Sequence, residues 1–345
     1  HTTLWDDANP IPHTRLAQRA DLIVVAPATA RVIGSYAAGI SSDFLTATLI
    51  ATRAPVLVCP AMHTEMWEHA SVQENIATLR RRGVHILEPE TGRLAGGDVG
   101  AGRLAAPERI FSEVEQLLTP GDLYGAHVVV TAGGTREAID AVRVIANRST
   151  GKQGYAIASE AVSRGAKVTL ISTSDLPTPF GVNLVQVESA QQMMDAVNVE
   201  APSADVVIMA AAVADVRPVR SATNKLKKDP STGLIDGLGA IELEATPDIL
   251  AGLGKNKPAG QVLVGFAAET ENLVANAMSK LERKGADLIV ANDVSQDGVG
   301  FAHATNAVTL VARGVEPVEV ALTDKRSIAR SVLNAVVAIR SARTN

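Results

Sequence analysis

Short runs of Val, Ile, Leu and Ala recur along the chain, separated by stretches in which apolar residues return every three or four positions. A continuous apolar run suits a strand buried on both faces, and the three-to-four spacing suits a helix with one buried side. The runs predict strands at 22–25, 56–59 and 84–87, then at 127–131, 167–172, 183–187, 206–209, 262–266, 288–291 and 307–311. Helical spacing occurs at 75–82, 107–118, 155–164 and 271–284. Strand and helix alternate, which predicts an α/β protein with parallel sheets.

The pattern breaks at Thr119-Pro120-Gly121-Asp122, after a helix and before a fresh strand. Pro-Gly interrupts regular structure, and 345 residues suffice for two cores. The expectation is two Rossmann-like three-layer domains with mainly parallel sheets, at 1–118 and 126–345, joined by a linker at 119–125. Residues 215–236 are polar and lysine-bearing and read as a long loop of the kind that carries function. Aromatics make up only 3% of the residues and the net charge is −5, with no basic tract, so nucleic-acid binding is not expected. The single cysteine, Cys59, excludes an internal disulfide framework and a cysteine metal cluster; ending an apolar strand, it reads as buried and inert. No apolar run reaches the ~18 residues of a membrane span and the N-terminus is polar, so a cytoplasmic protein is expected.

Chemistry concentrates after the strand at 127–131. Gly133 and Gly134 follow it directly, where backbone N–H groups can approach a phosphate, but the spacing is not that of a dinucleotide fingerprint and a tight turn is an equal reading. Residues 140–152 carry Arg143, Arg148, Asn147, Ser149, Thr150 and a Gly-Lys pair ahead of a helix. That is an anion site or a solvated turn with a capping hydroxyl. Lys280 and Lys284 share a helix face, which alone reads as solvated surface.

The run Thr131–Gly154 resembles the ligase domain of the bifunctional phosphopantothenoylcysteine decarboxylase/phosphopantothenate–cysteine ligase family, departing at Gly134, Ala141 and Thr150. Segments 209–215, 224–228, 246–250, 265–270 and 291–294, with Phe301 and Asn306, follow in the family's order. The resemblance implies CTP-dependent joining of 4′-phosphopantothenate to cysteine through an acyl-cytidylate, with Mg2+. Carried over residue by residue, it makes Asn147 and Lys225 catalytic, and Arg143, Asn147 and Arg148 substrate-binding. Met209, Ala210, Ala211, Asp215, Lys225, Pro247, Asp248, Ile249, Leu250, Phe266, Lys280 and Lys284 become nucleotide-binding, with Asp215 near the metal.

Residues 1–118 resemble the flavin-containing decarboxylase half of the same family. Here the resemblance implies a catalytic His13, FMN contacts at Ala26, Pro27, Ala28, Thr29 and Ser41, and a substrate motif at Pro60, Ala61, Met62 and His63, with a substrate clamp at 92–103. His63 stands where the motif has Asn, and Gly96 where many relatives have a reactive Cys. The family's opening strand and flavin-phosphate loop would lie before His1, so the chain is expected to be truncated in this half and not to decarboxylate. Family assembly through both halves implies a homo-oligomer: a dodecamer for the full protein and a dimer for the ligase domain. Two other readings remain open: a ligase beside a non-catalytic oligomerising domain, and a Rossmann oxidoreductase, which the missing fingerprint and the lysine-rich loop disfavour.

Overall fold

A computed structural model describes residues 11–119, 121–228, 241–269, 271–293 and 305–344. The chain divides into two units, 1–120 and 121–345.

The first unit runs α1 (Pro12–Arg19), β1 (Ile23–Ala28), α2 (Ala30–Ala38), α3 (Phe44–Ala51), β2 (Val56–Pro60), α4 (Thr64–Trp67), α5 (Ala70–Arg81), β3 (His85–Ile86), β4 (Glu90–Arg93), β5 (Val99–Arg103) and α6 (Pro107–Leu118). β1, β2 and β3 form a parallel three-stranded sheet in that order, and β4 and β5 an antiparallel hairpin. β2 is buried at every position, as its unbroken apolar run requires. One core, with Ile33, Leu49, Ile76 and Leu79, packs α2 and α5 on the sheet; a smaller one gathers Leu57, Cys59, Leu87 and Ala105 with residues of α6. Asp43 starts α3 with a capping box, its carboxylate accepting from the Thr46 N–H at 2.9 Å.

The second unit runs β6 (His127–Ala132), β7 (Arg136–Ala138), β8 (Val144–Ala146), α7 (Lys152–Ser163), β9 (Lys167–Ser172), β10 (Val182–Gln186), α8 (Ala190–Glu200), β11 (Val206–Met209), β12 (Val216–Pro218), β13 (Leu243–Ala245), α9 (Ile249–Lys255), β14 (Val262–Glu269), α10 (Leu273–Lys284), β15 (Leu288–Asp293), β16 (Thr305–Ala312), β17 (Val318–Asp324) and α11 (Lys325–Thr344). Its eight-stranded sheet has the order β10-β9-β6-β11-β14-β15-β16-β17. Pairing is parallel from β10 to β15 and antiparallel at β16 and β17. Successive strands step outward from β6 in one direction through β9 and β10, then in the other from β11, so the topology reverses between β6 and β11. Ligands of open α/β sheets bind at such a reversal, beyond the carboxyl ends of the strands.

Helices cover both faces: α7 and α11 close one core around Val128, Val130, Ile157, Ile328 and Leu333, and α8, α9 and α10 the other around Val129, Met193, Leu263 and Leu281. α7 lies so close to β6 that a Cβ on Gly154 would meet the Ala132 Cβ at 2.6 Å and the Thr131 carbonyl oxygen at 2.9 Å. Leu123, in the stretch expected as linker, belongs to this unit's core. The expected loop at 215–236 contains strand β12, paired with β13; its residues 229–236 lie outside the described set. Among the described residues no helix is long and apolar enough to cross a membrane.

Candidate functional site

At the reversal the second unit holds a cavity of about 660 Å³. Its walls come from the carboxyl ends of β11 (Met209), β14 (Phe266, Ala268) and β15 (Asn292), from the loops 210–215 and 245–248, and from the start of α7. Asn147, Met209, Ala210, Ala211, Asp215, Pro247, Asp248, Ile249, Leu250, Phe266, Lys280 and Lys284 all line it, although they are spread over more than a hundred positions of sequence.

Each polar side chain has a definite anchor. The Asn147 amide donates to the Val213 carbonyl at 3.0 Å, which ties the 147 turn to the loop after β11. Lys280 donates to the Phe266 carbonyl at 2.8 Å. Its burial lowers the ammonium pKa against the opposing pull of Glu269, with the positive charges of Lys284 and Arg283 adding to the lowering. Lys284 is paired with Asp248, whose carboxylate also caps α9 by accepting from the Ala251 N–H at 3.0 Å. Burial alone would raise the Asp248 pKa, but the Lys284 hydrogen bond, the Ala251 N–H and nearby positive charges outweigh it and hold the carboxyl low. The α10 wall thus carries two cations held in place, which is what a polyanion needs.

Arg143, Arg148 and Lys225 stand outside these walls. The Arg143 guanidinium binds the buried Asp140 carboxylate at 2.6 Å, while Arg148 and Lys225 are exposed. Asp140 also accepts from the backbone N–H groups of Val142 and Arg143, each at 2.8 Å, and of Leu226 at 3.2 Å, so it fixes the root of the segment bearing Lys225. A second cavity of about 400 Å³ shares Asn147, Ser149 and Thr150 with the first and is lined further by Arg136 and Ser174. Asn147 therefore sits where the two cavities meet. The expected family position Phe301 lies outside the described residues.

Sequence reasoning assigned no site role to Asp140, Gln153, Asn292, Asn306 or Lys325. Asn306 was visible only as an isolated family position. Lys325 gave no signal, because β17 before it alternates apolar and charged residues too loosely to be read as a strand.

In the first unit the Ala61 N–H donates to the Ala28 carbonyl at 3.0 Å, bringing the segment 26–29 and the motif 60–63 together at the ends of β1 and β2. The clamp hairpin closes on that motif. The Met62 N–H donates to the Gly102 carbonyl at 2.9 Å, and the Thr64 hydroxyl to the Ala101 carbonyl at 2.8 Å. Gly102 has φ +123°, and a Cβ there would meet the Met62 carbonyl oxygen at 2.2 Å, so only glycine permits this approach. His63 lies between Glu65 at 2.5 Å and Asp98 at 3.0 Å, and a Cβ on Gly96 would stand 3.1 Å from its Nε2. Hydrogen bonding and the charge of Glu65, then Asp98, raise its pKa. Thr29 caps α2, its hydroxyl accepting from the Val32 N–H at 3.4 Å, and Ser41 is exposed beyond that helix. On α1, the buried Nδ1 of His13 has no hydrogen-bond partner among the described residues. Cys59 is buried and its thiol pKa is pushed up to about 11, by burial first and the charge of Glu113 second.

Residues 1–119 match the family described as Flavoprotein, and residues 123–339 that described as DNA/pantothenate metabolism flavoprotein C-terminal domain. Fold and matches together define an α/β enzyme with a flavoprotein unit followed by a pantothenate-metabolism unit. Coenzyme A biosynthesis bifunctional protein CoaBC of Mycobacterium tuberculosis strain H37Rv is 49% identical over 331 residues, covering 91% of this chain and 78% of that protein. Its Bacillus subtilis strain 168 counterpart is 44% identical over 346 residues, covering 98% and 84%. The chain belongs to this family of bifunctional coenzyme A biosynthesis proteins. Among solved structures, the C-terminal domain of a coenzyme A biosynthesis bifunctional protein CoaBC is 41% identical, with a TM-score of 0.54 over 64% of this chain and 99% of that one. The DNA/pantothenate metabolism flavoprotein from Streptococcus pneumoniae is 25% identical, with a TM-score of 0.51 over 62% and 100%.

Proposed function

We propose that the second unit joins 4′-phosphopantothenate to L-cysteine at the expense of CTP. The observation that carries this reading is the cavity at the sheet reversal, where Lys280 and Lys284 of α10 meet Asn147 from the turn after β8. The carboxylate of phosphopantothenate attacks the α-phosphorus of CTP, forming an acyl-cytidylate and releasing pyrophosphate. The cysteine amine then attacks the acyl carbon; CMP leaves and the amine gives up its proton. Lys280 and Lys284 offset the phosphate charge, and Asn147, at the junction of the two cavities, orients the acyl group. Arg136, in the second cavity, is placed for the phosphate of phosphopantothenate. Lys225, rooted by Asp140, is the mobile charge that completes the site.

Mg2+ fits this arrangement as a nucleotide-borne ion. Asp215 offers one exposed carboxylate on the cavity wall, no cluster of three metal-ligating side chains occurs among the described residues, and Mg2+ is commonly held by one carboxylate plus phosphates and water.

For the first unit the reading is decarboxylation of the ligase product with FMN, which supplies the redox chemistry when bound. The orphaned His13 Nδ1 and the joined segments 26–29 and 60–63 fit a cofactor and substrate between them. His63, flanked by Glu65 and Asp98, takes the substrate-binding place of the family's Asn, and an imidazole N–H can donate to a carboxylate. A homo-oligomer, dimeric through the second unit, belongs to the same reading. The test is incubation with CTP, Mg2+, phosphopantothenate and cysteine: pyrophosphate and a product of the joined mass are expected, and no pyrophosphate above a blank would refute it.

A further inference from the structure

Near α7 the main cavity is lined by two residues whose buried amide oxygens a triphosphate cannot satisfy. Asn306 is 5% exposed, lines the cavity, and its Oδ1 has no hydrogen-bond partner among the described residues. Gln153 lines it too, with a buried Oε1 likewise unpartnered. The orientation of Gln153 is not open to exchange of its amide atoms, because its Nε2 donates to the Lys325 carbonyl at 3.0 Å. Both residues are tied to one short segment at the end of β17. Asn306 pairs across β16–β17 with Thr323, two residues before Lys325, whose carbonyl holds Gln153. A buried carbonyl oxygen without a donor costs roughly 1–3 kcal/mol. Two of them on residues that line one cavity call for a ligand that brings N–H groups.

We propose that Asn306 and Gln153 form the subsite for the amino group of the amino-acid co-substrate, their amide oxygens accepting its N–H bonds. This rests on the ligase reading, and it places the second substrate of that reaction. Lys325 and Lys152, on the same wall at the starts of α11 and α7, suit the amino acid's carboxylate, and so does the uncapped N-terminus of α7. Those positive charges also favour the uncharged, nucleophilic form of an amine beside them. Lys325 shows the effect on itself, its pKa lowered by burial and then by the charge of Lys152. Asn147 lines the same cavity, so amine and activated carboxyl share one chamber.

The test uses the full chain and the near-isosteric variants Asn306→Leu and Gln153→Met, with cysteine and CTP varied separately at saturating phosphopantothenate. The cysteine KM is expected to rise about tenfold or more in each, as loss of a contact worth about 1.4 kcal/mol requires, while the CTP KM moves less than about twofold. An unchanged cysteine KM overturns the proposal. So does a rise confined to the CTP KM, which would assign the amides to nucleotide hydroxyls or base. If Asn306→Leu does not fold, Gln153→Met decides alone. Absence of CTP-dependent pyrophosphate release by the parent protein refutes the ligase reading itself, and is distinguishable because it appears before any variant is compared.

Discussion

Asp140 touches no part of the cavity wall, yet it holds Leu226 and Arg143 together and so sets where Lys225 begins. Asp140→Asn keeps the shape but gives up the charge that three backbone N–H groups and Arg143 share. Ligase turnover is expected to fall about tenfold, against about 100-fold for Lys225→Gln, which removes the charge contact itself. Equal turnover of parent and Asp140→Asn would show that the segment is placed by something else. The same carboxyl predicts a pH effect. Burial would raise its pKa, but the N–H groups of Val142, Arg143 and Leu226 and the Arg143 charge bring it below the ordinary 3.8. A depressed folded value means stability that is fully present above 3.8 and is lost as pH falls through the folded value. The urea midpoints of parent and Asp140→Asn should differ at pH 7 and converge only below that range. Lys280, Lys284 and the 246–250 turn were legible from sequence as family positions. Asp140 stood within the matched run 131–154, but its hold on Leu226, like the contact of Gln153 with Lys325, joins groups far apart in sequence that no local pattern records.

The helix α7 shows how tightly the site's scaffold is built. Gly154→Ala would drive a methyl into Ala132 and the Thr131 carbonyl, lifting the helix that presents Gln153 and Lys152. Overpacking of this kind costs about 1–3 kcal/mol, and thermal unfolding should show it; an unchanged midpoint would mean that β6 yields. At the other end of α7, Arg164 is 3% exposed and binds Glu160 at 3.4 Å, Asp122 at 3.4 Å and Asn334 at 2.6 Å. Among the described residues, Arg164→Met leaves Glu160, 1% exposed, to the more exposed Arg326 and Arg330 at 3.5 Å each. Breaking a buried pair from one side costs about 3–5 kcal/mol, to be read as a lower urea midpoint of the second unit. Among elements, the central strands were readable because burial on both faces writes an unbroken apolar run, as at Val128–Val130 and Val262–Val264. β17 was not, since one face meets solvent and Glu319 and Thr323 interrupt it. The hairpin β4–β5 escaped for another reason: glycines and charged residues make it, and what shapes it is the approach to Met62 and Thr64.

Residues 121–345 carry two cores of their own, one on each face of an eight-stranded sheet. A chain beginning at Gly121 should therefore unfold in one cooperative transition, with the full cavity intact. The cavity's walls are contributed by stretches from Asn147 to Lys325, nearly the whole length of that unit. No local piece of chain can hold the ligand, so its binding free energy opposes opening of the whole unit and not of one segment. CTP at about a hundred times its dissociation constant then adds about 2.7 kcal/mol against global opening. That protection should be written into amide hydrogen exchange across β6, β11, β14 and β15 together, including positions that touch no ligand. Slowing confined to 147–154 and 209–215 would instead reveal a rim that opens by itself, with the nucleotide stabilising that rim and leaving the sheet as it was.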